Sequence, residues 1–223
     1  MHIGVIPDGN RRYARSHGIQ NYDAYEEARD TIKNVTDSLN GFSDDLESIT
    51  FYLLSEENLD RSKEELETLF DLLEQNIDDM AEFFQGKDFN VNWASTNPDP
   101  LPDGLKDKLR KIEDRFSGGD TRVNLLISYD GKEDILEAGE EVAANGENFN
   151  RKDFSTHLQI QQDIDFVIRT GDNPDRECLS GFPIWNASYA EFYHIKKNFP
   201  AVQPEDVEEA LGHFKKLRRK KGE

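Results

Sequence analysis

Short, continuous apolar runs alternate along this chain with longer amphipathic ones, and that rhythm restricts it to a few architectures. Residues 3–6, 49–54, 90–93, 123–127, 166–168 and 192–195 read as strands. Most lack the apolar–polar alternation of a half-exposed strand, as expected where a sheet is covered on both faces. Between them, residues 23–39 carry Ala24, Ala28, Ile32, Val35 and Leu39 near helical spacing. Residues 62–84 open on Ser62-Lys63-Glu64-Glu65, a capping-box signature, and continue with an apolar face of Leu66, Leu69, Phe70, Leu73 and Ile77. Further helices fit residues 104–115, 133–144 and 204–218. This alternation predicts an α/β fold, a mainly parallel sheet flanked by helices, in one domain over residues 1–223.

The chain has 223 residues, long enough to bury a core without staples. Its 46 acidic residues against 27 basic ones give a formal charge of −19. Such a surface repels nucleic acid, so no nucleic-acid partner is expected, and any phosphate ligand needs a local basic pocket. With a mean hydropathy of −0.81, the charge also suits solubility in concentrated salt. A halophilic cytoplasm is the expectation, and an ordinary acidic protein the alternative. Cys178 is the lone cysteine, which fits a reducing compartment. No apolar run approaches the roughly 20 residues of a membrane span, and a strand-like run follows Met1 without room for a signal peptide. A soluble, cytoplasmic protein is expected, so a lipid substrate or product implies transient contact with a membrane surface.

Three polar clusters follow strands, where open α/β sheets gather their ligands. Pro7-Asp8-Gly9-Asn10-Arg11-Arg12 comes first. Gly9 and Asn10 suit a tight turn that exposes backbone N–H groups, Arg11 and Arg12 can fork onto phosphate oxygens, and Asp8 is placed to hold a hard cation. A plain Asp-Gly turn is the structural alternative. A haloacid-dehalogenase phosphatase would need a second Asp where Asn10 stands. Ser55-Glu56-Glu57-Asn58-Leu59-Asp60-Arg61 follows the second strand. Acidic residues facing a helix dipole explain Glu56, Glu57 and Asp60 but leave Asn58 and Arg61 as candidate diphosphate contacts. The third cluster runs over residues 169–182, where Arg169, Arg176 and Ser180 make an anion grip. Trp185, Tyr189 and Glu191 come after it, and Glu191 could complete a metal site with Asp8.

In this order the clusters resemble the signatures of the cis-prenyltransferase family, the undecaprenyl and dehydrodolichyl diphosphate synthases. The family's His-x-x-x-x-Met-Asp-Gly-Asn-x-Arg-Trp-Ala is similar to His2 through Pro7-Asp8-Gly9-Asn10-Arg11-Arg12-Tyr13-Ala14. Its Ser-x-x-Asn-x-x-Arg-x-x-x-Glu is similar to Ser55, Asn58, Arg61 and Glu65. Its third motif is similar to Arg169-Thr170, Ser180, Phe182, Trp185, Tyr189 and Glu191. The resemblance spans residues 2 to about 200. It implies a six-stranded sheet with a hydrophobic tunnel, a homodimer, and Mg²⁺-dependent condensation of an allylic prenyl diphosphate with isopentenyl diphosphate in cis geometry. It further implies that Asp8 brings Mg²⁺ to the diphosphates and Glu191 completes the metal site. Gly9, Asn10, Arg11 and Arg12 would hold the allylic diphosphate, and Arg169, Arg176 and Ser180 the isopentenyl diphosphate. Asn58 would sit by the reacting carbons, with Ser55 and Arg61 on the substrate side.

Several positions depart from the family pattern. Its Gly-His in the first helix is Ala24-Tyr25 here, and a phosphate-contacting Arg just before it is Asn21. Leu59 replaces an aromatic. The third motif is about three residues longer and reads Gly171-Asp172-Asn173-Pro174, while Lys220-Lys221-Gly222 replaces a closing Arg-x-Gly. Leu53 stands where many relatives have a smaller residue, and the helix from Ser62 has no insertion, which suggests a short- or medium-chain product. The alternatives are a non-catalytic partner subunit, argued against by Asp8 and Arg12, and prenyl transfer to another acceptor. Asp78-Asp79-Met80-Ala81-Glu82 superficially resembles a trans-prenyltransferase motif but reads as a surface charge run. The basic tail, residues 215–221, reads as a solvated helix end, and His17, His157, His194 and His213 as structural.

Overall fold

The computed structural model describes residues 1–42, 45–173 and 178–221, with backbone alone for 218–221. Among the described residues there are six strands: β1 (His2–Ile6), β2 (Ser48–Ser55), β3 (Phe89–Ala94), β4 (Thr121–Tyr129), β5 (Phe166–Thr170) and β6 (Glu191–Ile195). Seven helices surround them: α1 (Asn10–His17), α2 (Asn21–Asn40), α3 (Lys63–Phe83), α4 (Asp103–Arg115), α5 (Gly131–Ala144), α6 (Arg151–Thr156) and α7 (Pro204–Lys221). The strands form one sheet in the order β3-β4-β2-β1-β5-β6, and all five pairings are parallel. The expected mainly parallel sheet is therefore parallel throughout its named strands.

The apolar runs follow from burial on both faces. Ile3, Val5, Phe51, Leu125 and Phe166 point to one side and pack against Ala28, Leu73, Leu109 and Phe214 of the helices. Alternate residues Ile6, Tyr52, Leu126 and Val167 face the other side, where Ile160, Ile164 and Phe182 cover them. Low on that second face lies a small polar island. His2 Nε2 meets Thr50 Oγ1 at 2.7 Å, and Asn124 Nδ2 donates to Ser48 Oγ and Thr50 Oγ1 at 3.0 and 2.9 Å. Burial presses the His2 imidazole down to about 4, against the opposing pull of Asp165, so the ring is neutral in the fold.

The helix boundaries follow their local chemistry. Ser62 Oγ accepts the Glu65 N–H at 3.3 Å and caps α3 as its sequence predicts. Asp78 and Asp79 lie on the outer side of α3, 2.9 Å from Lys108 and Arg29, while Met80 between their turns is buried. The acidic run is thus a surface charge run. His157 bridges Glu141 and Glu147, 2.9 Å from each, which raises its proton affinity and bears out a structural role. Two helices escape the periodicity. In α1 only Ala14 is buried, and α6 has six residues with Phe154 as its buried anchor. Among the described residues, no helix is long and apolar enough to cross a membrane.

Candidate active site

Because β1 lies between β2 and β5, the segments that leave these three strands emerge side by side at the carboxyl end of the sheet. The register sets their heights. Ile6 pairs with Arg169, which brings the Arg169 side chain level with the exit of β1. Two residues further on, Asp8 is pinned through its backbone: its N–H donates to Thr170 Oγ1 at 2.9 Å, and its carbonyl lies 2.9 Å from the same hydroxyl. The Phe199 N–H also donates to the Asp8 carbonyl, at 3.0 Å.

The Asp8 carboxylate is flanked by two guanidinium groups. Arg169 Nη2 donates to Oδ2 at 2.6 Å, and Arg12 Nη2 stands 3.3 Å from Oδ1. Arg169 is 2 % exposed. Its Nη1 donates to Ser180 Oγ at 2.9 Å and to the Cys178 carbonyl at 2.5 Å. A cation this buried is tolerable only because it is paired and hydrogen-bonded. Ser180 is held with φ of 51°. Tyr52 helps to fix it, since its hydroxyl donates to the Ser180 carbonyl at 3.1 Å and the Tyr129 carbonyl at 3.0 Å. Burial, reinforced by Asp130, pushes the Tyr52 hydroxyl far above its usual range, so it remains a donor.

Gly9 turns the chain from β1 into α1. Its φ is 107°, and a Cβ there would come within 2.2 Å of Asn198 Oδ1 and 2.8 Å of Asn198 Cα. Only glycine fits both the conformation and the space. The first N–H groups of a helix have no partner within it, and Gly9 offers no side chain to cap those of α1. The start of α1 is accordingly a place for an anion, beside Arg11 and Arg12.

A second chain of contacts forms after β2. Asn58 donates to Ser55 Oγ and accepts from Arg61 Nη2. Arg61 Nη1 donates to the Tyr25 hydroxyl at 3.1 Å. Tyr25 comes from α2, which ties the cluster after β2 to that helix.

Both groups border one cleft of about 620 Å³. Its lining includes Asp8, Arg11, Arg12, Arg61, Arg169 and Ser180, the acidic Glu57, Asp60 and Glu65, and the apolar Leu53, Leu54 and Leu69, with Tyr25 beside Arg61. Gly9, Asn10, Ser55 and Asn58 line it too, so nearly all the residues singled out in the sequence meet there. Two do not. Arg176 lies outside the described residues. Glu191, expected to share a metal site with Asp8, is not among the cleft-lining residues of this chain. It opens β6 opposite Phe166, which itself pairs with Ile3. Asp8 is five residues further along, on the order of 15 Å up the strand direction. Within one chain Glu191 therefore stands near the start of the strands and Asp8 beyond their carboxyl ends. Among the described residues, no group of three or more His, Cys, Asp or Glu side chains is arranged to hold a metal.

Sequence reasoning missed Tyr52 and Asp172 and gave Thr170 no role. Thr170 sits beside Arg169 in the third motif, and that adjacency was its available signal. Tyr52 reads as one more apolar residue of a buried strand. Asp172 has both carboxylate oxygens engaged, one by Arg12 and one by Asn198.

Comparison with known proteins agrees with this geometry. The prenyltransferase family described as undecaprenyl diphosphate synthase matches residues 6–222. Isoprenyl transferase 1 of Corynebacterium diphtheriae is 31 % identical, over 99 % of this chain and 86 % of its own length. The tritrans,polycis-undecaprenyl-diphosphate synthase (geranylgeranyl-diphosphate specific) of Methanopyrus kandleri is 28 % identical, over 99 % of this chain and 84 % of its own. Among solved structures, lavandulyl diphosphate synthase from Lavandula x intermedia, in complex with dimethylallyl diphosphate, superimposes with a TM-score of 0.86 at 25 % identity. That match covers 96 % of this chain and 94 % of the other.

Proposed function

The chain belongs to the undecaprenyl diphosphate synthase family of cis-prenyltransferases, and from that premise we propose that it condenses an allylic prenyl diphosphate with isopentenyl diphosphate at the cleft around Asp8. The observation that carries the reading is the cleft's composition. Its lining brings together Asp8, five arginines and the uncapped start of α1 with the apolar side chains of Leu53, Leu54 and Leu69. The charged groups suit a diphosphate and the leucines its hydrocarbon.

The chemistry follows from charge. As the allylic C–O bond breaks, negative charge grows on the departing diphosphate, and donors already aimed at that place lower the barrier. Arg11, Arg12 and the N–H groups of α1 serve the allylic diphosphate in this reading. Arg169 and Ser180 serve isopentenyl diphosphate. Arg61 adds a cation on the α2 side, held by Tyr25 and Asn58. The apolar wall of Leu53, Leu54 and Leu69 excludes water from the allylic carbon.

Mg²⁺ suits the donor set if substrate phosphates supply most of its ligands, since it commonly binds through one or two carboxylates plus phosphates; Asp8 is the residue to hold it, and when bound it would add positive charge at the diphosphate oxygens. Asp8 already faces two arginines, so a bound cation and diphosphate would redistribute those pairs.

Three finer points belong to the same proposal. The cleft lining reaches α3 only as far as Leu69, while Phe70, Leu73 and Ile77 are buried in the core, which favours a short- or medium-chain product. Edge strand β6, with Tyr189 exposed just before it, favours a homodimer, because unpaired sheet edges are usually covered. The charge of −19 favours a cytoplasmic setting rich in salt.

The test is incorporation of radiolabelled isopentenyl diphosphate into a lipid extract. The pure chain would be supplied with Mg²⁺ and, in parallel, C5, C10, C15 or C20 allylic diphosphates over a range of salt. Label in products of no more than eleven isoprene units supports the catalytic and chain-length parts of the reading. Longer products would overturn the chain-length part, and no label at any salt would overturn the catalytic one.

A further inference from the structure

The loop after β5 carries a carboxylate that the reaction does not call for. Asp172 Oδ1 accepts the Arg12 Nε–H at 2.8 Å, and its Oδ2 accepts from Asn198 Nδ2 at 2.9 Å. Asn198 is 7 % exposed, and its own Oδ1 is buried without a hydrogen-bond partner. Asp172 is therefore held from beneath by a fixed amide and holds Arg12 from the side. Burial alone would raise its proton affinity, but Arg12 and Asn198 outweigh that and keep it ionised.

The turn that delivers Asp172 is built closely around Arg12. Gly171 has φ of 133°, and a Cβ there would come within 2.7 Å of Arg12 Nη2. The Gly171 N–H is anchored to the Lys197 carbonyl at 2.7 Å. Arg12 Nη2 is buried, lies 3.3 Å from Asp8 Oδ1, and makes no aligned hydrogen bond. A guanidinium presents five N–H donors in a rigid planar fork. Gripping it at Nε fixes the plane, keeps Nη2 against Asp8 and leaves Nη1 for another acceptor.

We propose that Asp172 is a positioning residue: with Asn198 it holds Arg12 by its Nε edge, so that Nη2 stays beside Asp8 and Nη1 is set to receive a diphosphate. This deepens the functional reading above and rests on it. The proposal has a rival within the same geometry, in which Asp172 competes with the diphosphate for Arg12 and holds the site shut. The two predict opposite signs.

Calorimetric binding of inorganic pyrophosphate in the presence of Mg²⁺, together with steady-state kinetics, separates them. Asp172→Ala is expected to weaken pyrophosphate binding about fivefold to tenfold, the scale of one charge-assisted contact. It should raise KM for the allylic diphosphate more than it lowers kcat, with the melting temperature little changed. Asp172→Asn keeps an oxygen for Nε, and an Asn198 amide flip would present Oδ1 to its new amide. It should stay within about twofold of wild type by the same measure. In an Arg12→Lys background, which has no Nε edge to grip, Asp172→Ala should change nothing further. Wild-type affinity in Asp172→Ala, or a gain in affinity, would overturn the proposal. Failure of the unaltered chain to bind pyrophosphate would instead overturn the functional reading.

Discussion

Arg169 reaches across from β5 and donates to the Asp8 carboxylate at 2.6 Å, so the most buried cation of the site is paired with the acid at the exit of the neighbouring strand. The pairing comes from strand register, since Ile6 stands opposite Arg169. It gives the site a structural role as well as a chemical one, because Arg169 also gathers Ser180 and the Cys178 carbonyl around itself.

Removing that guanidinium should therefore unfold the protein more easily. Arg169→Ala leaves Asp8 without its closest cation and two further acceptors without a donor. Breaking a buried pair of this kind costs about 3 kcal/mol or more. Denaturant titration should show the midpoint falling by a corresponding amount. A variant as stable as wild type would place the strength of this corner elsewhere.

Gly9→Ala should harm both fold and activity. The new Cβ would need positive φ and would overlap Asn198. A left-handed non-glycine residue costs about 1–2 kcal/mol, and the overlap adds to it. Lower thermal stability together with lost pyrophosphate affinity is the expected outcome, since Asn198 also supports Asp172. Thermal melting and calorimetry of the same sample check both.

Stability should fall in mild acid because of His2. Its folded value of about 4 lies below the ordinary 6.5, so the unfolded chain binds the extra proton first. The contribution is fully present above pH 6.5 and is lost as pH falls towards 4, by up to about 3 kcal/mol. His157 acts in the opposite sense. Its raised value gives a contribution present in acid and lost as pH climbs through it. Urea unfolding of wild type and His2→Gln at pH 7 and pH 5 isolates the first effect: the variant should lose less stability between those two points. Equal losses would mean that His2 is not buried neutral.

Much of this was legible in the chain itself. All six strands lie within two residues of their apolar runs, because burial on both faces leaves an unbroken signal. The capping box at Ser62 marked α3 for a local reason that tertiary packing did not override. Helix α1 was invisible, because it buries only Ala14 and owes its start to Gly9 rather than to an apolar stripe. The height of Glu191 on the sheet was hidden for another reason. Being next to a strand says nothing about which end of the sheet a residue occupies, and β6 begins where β1 begins. Tyr52 and Asp172 gain their roles through partners distant in sequence, Ser180 for the one and Arg12 for the other.

The most direct measurement is turnover by Asp8→Ala, with folding checked on the same preparation. Asp8 is the carboxylate at the mouth of the cleft, and its backbone is held by Thr170 and Phe199 whatever its side chain. The variant should lose stability with the Arg169 pair but remain folded under assay conditions, bind inorganic pyrophosphate poorly in Mg²⁺, and lose at least about a hundredfold in turnover, the scale on which transition-state charge stabilisation is felt. A folded Asp8→Ala that condenses prenyl diphosphates at the wild-type rate would contradict the account.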